Sequence, residues 1–182
     1  MRGIRVVLAA GLVVVSSAAA SSAAAAPAPA RATHVDTVTV DRFMSYNAAA
    51  KGVTLQVIAA FDDTRGGLNF NGGSDGDQTV VIPAGWTVHL HMVNKDALPH
   101  SAIVIAKQTP PPALPKTPAI AGALTAHLMD GLEPKGGSDD VTFTASPAGS
   151  YLLACGVPGH ALSGMYIAFD VSSSAQRPSY TK

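Results

Sequence analysis

Cys155 is the sole cysteine of the chain, and it opens the stretch CGVPGHALSGMY. His160 follows with four residues between, and Met165 with four more. A thiolate is a soft metal ligand, an imidazole suits copper and zinc, and a thioether is a weak soft donor. Two imidazoles and a thiolate in a trigonal site, with a long axial methionine, form the donor set that holds copper for electron transfer. One short loop therefore offers three of the four members. The second imidazole must come from another element, and His100 is best placed. It follows Pro99 in LPHS and opens the run HSAIVIA, at a strand end, where a side chain can reach a neighbouring loop.

Taken singly, each of these residues has a plainer use: a lone cysteine behaves as a small buried hydrophobe and a methionine as core filler. Their conjunction points to a metal. Other chemistries are excluded. There is no C-x-x-C-H for c-type haem and no C-x-x-C for dithiol exchange. A dinuclear copper centre needs two bridging cysteines. A trinuclear cluster needs a histidine pair bracketing the cysteine, and Cys155 lies between Ala154 and Gly156. His89 and His91 in WTVHLHMVN are then surface residues of an alternating strand. His34 and His127 have no partner at ligand spacing, and GGSDGD lacks the glutamate and spacing of an EF-hand loop.

The elements that must position the donors read as short strands. Gly156, Pro158, Gly159 and Gly164 let the ligand loop curl between YLLAC and MYIAFDV. VTLQVIAAF (Val53 to Phe61) is the first clear strand. QTVVIPAGW ends in a Pro-Ala-Gly turn. Trp86, Val88, Leu90 and Met92 share one face of the next strand, with Thr87, His89, His91 and Val93 on the other. DDVTFTA adds a further strand. The Pro-rich segment from Lys107 to Lys135 cannot sit inside a sheet; its AIAGALTAHLMDGL portion reads as a short helix or irregular turns. The tail SSSAQRPSYTK reads as frayed. Seven or eight short strands with turn chemistry between them predict an all-β sandwich or small barrel with Greek-key connections.

Arg2 and Arg5, the apolar run Val6 to Val15 and an alanine-rich tract have the layout of a signal peptide over residues 1–26; the same stretch, uncleaved, is long enough to anchor in a bilayer. The predicted location is the periplasm, the exterior or the outer face of the cytoplasmic membrane. Residues 27–50 read as an N-terminal segment, 51–173 as the metal domain and 174–182 as the tail. Removing residues 1–26 takes two of the 12 Lys+Arg and none of the 12 Asp+Glu, leaving 10 − 12 = −2. That charge argues against nucleic-acid partners.

CGVPGHALSGMY, LPHS and FNGG…VVIPAGW together resemble the cupredoxins, most closely the sulfocyanin group and more distantly the rusticyanin type, which shares the C-x4-H-x4-M spacing. The resemblance spans Val53 to Val171. It implies a cupredoxin-like Greek-key β-sandwich holding one type 1 (blue) copper, with His100, Cys155 and His160 as ligands and Met165 axial. It implies an electron carrier and not an enzyme: a monomer that docks transiently on a redox protein, a cytochrome or terminal oxidase, around the edge of His160. Pro158, Ala161, Leu162, Leu98 and Pro99 would ring that edge. Ser101 would hold the Cys155 loop. The alternative reading is a copper chaperone or scavenger.

Overall fold

The computed structural model describes Gly3 and residues 37–182, so the expected signal segment, Gly3 apart, and His34 lie outside the described residues. Ten strands follow one another: β1 (Val38–Asp41), β2 (Met44–Asn47), β3 (Gly52–Ala59), β4 (Thr79–Pro83), β5 (Thr87–Asn94), β6 (Ile103–Ala106), β7 (Ser138–Thr144), β8 (Gly149–Ala154), β9 (Tyr166–Ser172) and β10 (Ser179–Thr181). They form two five-stranded sheets, ordered β1-β2-β3-β5-β7 and β10-β4-β9-β8-β6. The β3–β5 and β4–β9 pairs are parallel and the others antiparallel.

Alternation drives the packing. Leu55 and Val57 of β3 lie beside Leu90 and Met92 of β5, and all four are buried. Val80 and Ile82 of β4, with Ile167, Phe169 and Val171 of β9, supply the facing layer of the same core. Each such side chain, fully buried, contributes about 1.5–3 kcal/mol of transfer free energy. Trp86, Val88, Leu90 and Met92 are inside and His89 is exposed, as the period of two requires.

The strand count exceeds seven or eight because three strands of only three or four residues, β1, β2 and β10, alternate too briefly to stand out. β1 and β2 lie before residue 51, where the sequence reading starts the domain, yet β2 pairs with β3 from Met44↔Leu55 to Asn47↔Gly52. The tail is not frayed. Ser179–Thr181 pairs with β4, and the Tyr180 hydroxyl donates to Gln78 Oε1 at 2.7 Å and accepts from Asn71 Nδ2 at 3.2 Å.

Between β6 and β7 the Pro-rich segment forms turns and no helix. Beyond a few turn bonds of its own, its backbone bonds to β6 and the residues before it. Val104 N–H donates to Ala123 O, Ala119 N–H to Val104 O, and Thr125 N–H to Ala102 O. The segment thereby covers the outer edge of β6, which would otherwise be an open pairing edge. Leu124 and Leu128 close a second apolar cluster with Ile103, Ile105, Leu152, Ala154 and Ala161.

Candidate metal centre

His100 sits in the turn region between β5 and β6. Asn94, at the end of β5, donates its amide to Leu98 O, Leu132 O and Glu133 O at 2.9, 3.1 and 3.2 Å. These bonds fasten the turn to the Pro-rich segment. Leu132 N–H donates to His100 O at 2.7 Å. Behind the ring, Nε2 meets Asp96 Oδ2 at 2.9 Å.

The ligand loop closes on itself. Cys155 N–H donates to Met165 O, Met165 N–H to His160 O, His160 N–H to Val157 O, and Gly164 N–H to Ala161 O. Gly159 and Gly164 take φ of +84° and +101°, the region that glycine enters without a Cβ penalty. Gly156 has no room for a side chain, because Leu128 lies against it.

Three donors converge. Cys155 Sγ is 3.8 Å from His100 Nδ1 and 3.6 Å from His160 Nδ1, and the two Nδ1 atoms are 3.2 Å apart. Imidazole nitrogens at about 2.0 Å and a thiolate at about 2.3 Å from one first-row ion stand roughly 3.3–3.8 Å from each other. The donor spacing therefore fits a single ion. His100 and Cys155 are fully buried and His160 is half-buried. Met165 is buried too, and its main chain bonds both His160 and Cys155.

Burial sets the charge states. It pushes the Cys155 thiol up, against hydrogen bonds from Ser101 and Val157. It pulls the His100 imidazole down, against the pull of Asp96, and lowers His160 with help from His100. Neutral imidazoles are ready ligands. The thiol needs an ion to release its proton, which couples metal binding to proton release.

Ser101 reaches the ligand loop: its Oγ accepts from Gly156 N–H at 3.1 Å and donates to Leu128 O at 2.6 Å.

With this geometry in place, comparison with known proteins is direct. The Sulfocyanin (SoxE) domain family matches residues 40–181. The chain belongs to the sulfocyanin family. Sulfocyanin of Sulfolobus acidocaldarius is 32% identical over 140 residues, covering 73% of this chain and 70% of that one. Crystal structures of rusticyanin variants share 24% identity at a TM-score of 0.53, covering 76% and 88% of the two chains, and this likeness establishes the cupredoxin fold. Reduced auracyanin of Roseiflexus castenholzii is 23% identical at a TM-score of 0.46, covering 65% and 96%.

Within this sulfocyanin-family chain, other histidines stand apart from the three donors. His89 Nδ1 meets Thr142 Oγ1 at 3.1 Å and His91 Nδ1 meets Asp140 Oδ1 at 2.7 Å, both across the β5–β7 pair. His127 is exposed in the Pro-rich segment. Of the expected apolar ring, Leu98, Pro158 and Leu162 are exposed, but Ala161 is fully buried in the second cluster and offers no surface. Met129 is exposed next to Leu128 and was not foreseen. Nor were Asn94 and Asp96, although the D-x-x-x-H spacing of DALPH was there to be read.

Proposed function

We propose that this protein is an exported, monomeric, mononuclear type 1 copper protein that carries single electrons between redox partners. The observation that carries the reading is the convergence of His100, Cys155 and His160, in a member of the sulfocyanin family, on a point one ion fits. Met165 would supply the fourth ligand, its thioether a weak, soft donor. Bound copper supplies the one-electron chemistry by cycling between Cu(I) and Cu(II). The chain's own residues supply a thiolate that selects a soft ion, two neutral imidazoles, and a buried, hydrogen-bonded frame that changes little with charge.

His160 is the donor nearest solvent, so its edge is the exit for the electron. Exposed Leu98, Pro158 and Leu162 give that end a small apolar surface, suited to a transient redox partner such as a cytochrome or terminal oxidase. Copper delivery is the weaker reading. A delivery site must open, whereas Cys155 and His100 are fully buried and tied from two sides.

The test is visible and EPR spectroscopy of the copper-loaded protein beside Cys155→Ser, with voltammetry of the former. Intense thiolate-to-copper charge transfer with a reversible potential, lost in the variant, is the expected result. Colour that survives in Cys155→Ser sinks the assignment. Colourless Cu(I) binding that exchanges readily favours delivery.

A further inference from the structure

We propose that Asp96 is a positioning residue of the metal centre: its carboxylate holds His100 in the one tautomer and orientation that turn Nδ1 toward Cys155 and His160. The inference rests on the copper reading above.

An ionised carboxylate only accepts. The 2.9 Å contact between Asp96 Oδ2 and His100 Nε2 is therefore a bond only when Nε2 carries the proton. A neutral ring protonated there leaves its lone pair on Nδ1. That atom is the one 3.8 Å from Cys155 Sγ and 3.2 Å from His160 Nδ1. The opposite tautomer would aim a proton into the donor cluster and leave the carboxylate facing a lone pair. Carboxylates behind metal-bound histidines act in this way generally, orienting the ring and raising its basicity.

Asp96 is itself held. Its N–H donates to Asn94 Oδ1 at 3.0 Å, its carbonyl accepts from Lys135 N–H at 2.7 Å, and its Oδ1 accepts from Ala97 N–H at 2.6 Å. One carboxylate oxygen thus serves the turn and the other serves the ring. On the outer side, Gly67 (φ +90°) closes over the group, and a Cβ there would lie 3.0 Å from Oδ2. A merely structural ion pair would need the charge alone. This arrangement needs two acceptors on one planar group.

That requirement makes Asp96→Asn the informative variant, since asparagine keeps the shape but offers one acceptor and one amide donor. It can satisfy Ala97 or His100, not both. Copper affinity in Asp96→Asn is expected to fall about 10–100-fold, with a raised reduction potential as a negative charge is lost. A metal-free measurement accompanies it. Long-range 1H–15N correlation of the metal-free wild-type protein is expected to find His100 as the Nε2–H tautomer, and to find that preference lost in Asp96→Asn. A Nδ1–H tautomer in the wild-type protein overturns the inference, whatever the variant does. So does an Asp96→Asn protein whose affinity stays within about twofold of wild type at an unchanged potential. A wild-type protein that takes up copper without thiolate colour overturns the copper reading instead, and the tautomer measurement still decides the role of Asp96.

Discussion

The ligand loop, Cys155 to Met165, carries two of the three donors, and the Pro-rich segment between β6 and β7 bonds the third, His100, through Leu132 N–H. Yet they are held in different ways. The ligand loop bonds mainly to itself: Cys155 to Met165, Met165 to His160, Ser163 to Gly159 and Gly164 to Ala161. The Pro-rich segment, apart from a few turn bonds, spends its polar groups on the rest of the chain. Ala119 and Ala123 bond Val104, Thr125 bonds Ala102, Leu132 bonds His100, Leu128 O takes the Ser101 hydroxyl, and Ala113 O takes Gly159 N–H. The first region is a self-contained turn. The second is a clamp whose shape exists only against the sheet.

If that distinction holds, equivalent changes should cost more in the clamp than in the loop. Gly131→Ala is expected to have the largest effect. Gly131 has φ +76°, and a Cβ there would lie 2.7 Å from both His100 N and Pro99 Cβ. Strain and backbone overlap together cost about 4 kcal/mol, and the displaced His100 weakens metal binding with them. Thermal denaturation and copper titration read both. Asn94→Ala comes next. It strips a donor from three carbonyls at once, and about 3 kcal/mol of stability should go with it. A loss below about 1 kcal/mol in denaturant unfolding would remove Asn94 from the clamp.

The same distinction explains what could be read from the sequence. Cys155, His160 and Met165 were legible because the glycines and proline that shape their loop stand between them in the chain. β5 was legible because its period of two is local. The course of 107–135 was not, since most partners of its backbone lie outside it, among residues 96–104 and in β8 and the ligand loop. AIAGALTAHLMDGL has the composition of a helix and the bonds of a strap. His100 could be picked out from its place after Pro99; Asp96 and Asn94, which hold it, act through contacts no spacing spells out except the faint D-x-x-x-H. The short strands β1, β2 and β10 escape because three or four residues hold too little of an alternation to be told from a turn.

Tyr180 extends the comparison to that third, tail segment. Burial pushes its phenol up to about 12 from 10, against the Asn71 hydrogen bond. A raised acid keeps its proton in the folded state while the unfolded chain ionises. Stability is therefore fully present below pH 10 and lost as pH rises toward about 12. The loss amounts to roughly 2–3 kcal/mol. Unfolding free energies of the wild type minus Tyr180→Phe, taken from pH 9 upward, isolate this contribution; a flat difference would mean that the tail is loose after all.

Ser101→Ala tests the side-chain bridge between loop and clamp, Gly156 N–H to Ser101 Oγ to Leu128 O. About 1–2 kcal/mol is expected, together with a shifted reduction potential, because the hydroxyl orders the backbone next to the thiolate. An unchanged potential and unchanged copper affinity would mean that Ser101 only fills space.

The smallest effect should come from Gly159→Ala, inside the loop. Its φ of +84° resembles that of Gly131, but nothing lies within 4 Å of where the Cβ would be. The variant therefore carries only the left-handed backbone penalty of about 1 kcal/mol. Copper affinity should hold, because the Gly159 N–H bond to Ala113 O and the Ser163 bond to Gly159 O use main-chain atoms that alanine keeps. Set beside Gly131→Ala, this pair separates backbone conformation, which both glycines share, from close approach, which only Gly131 of the two has. Equal losses in the two variants would show that positive φ alone accounts for both glycines, and that the clamp is no tighter than the loop it holds.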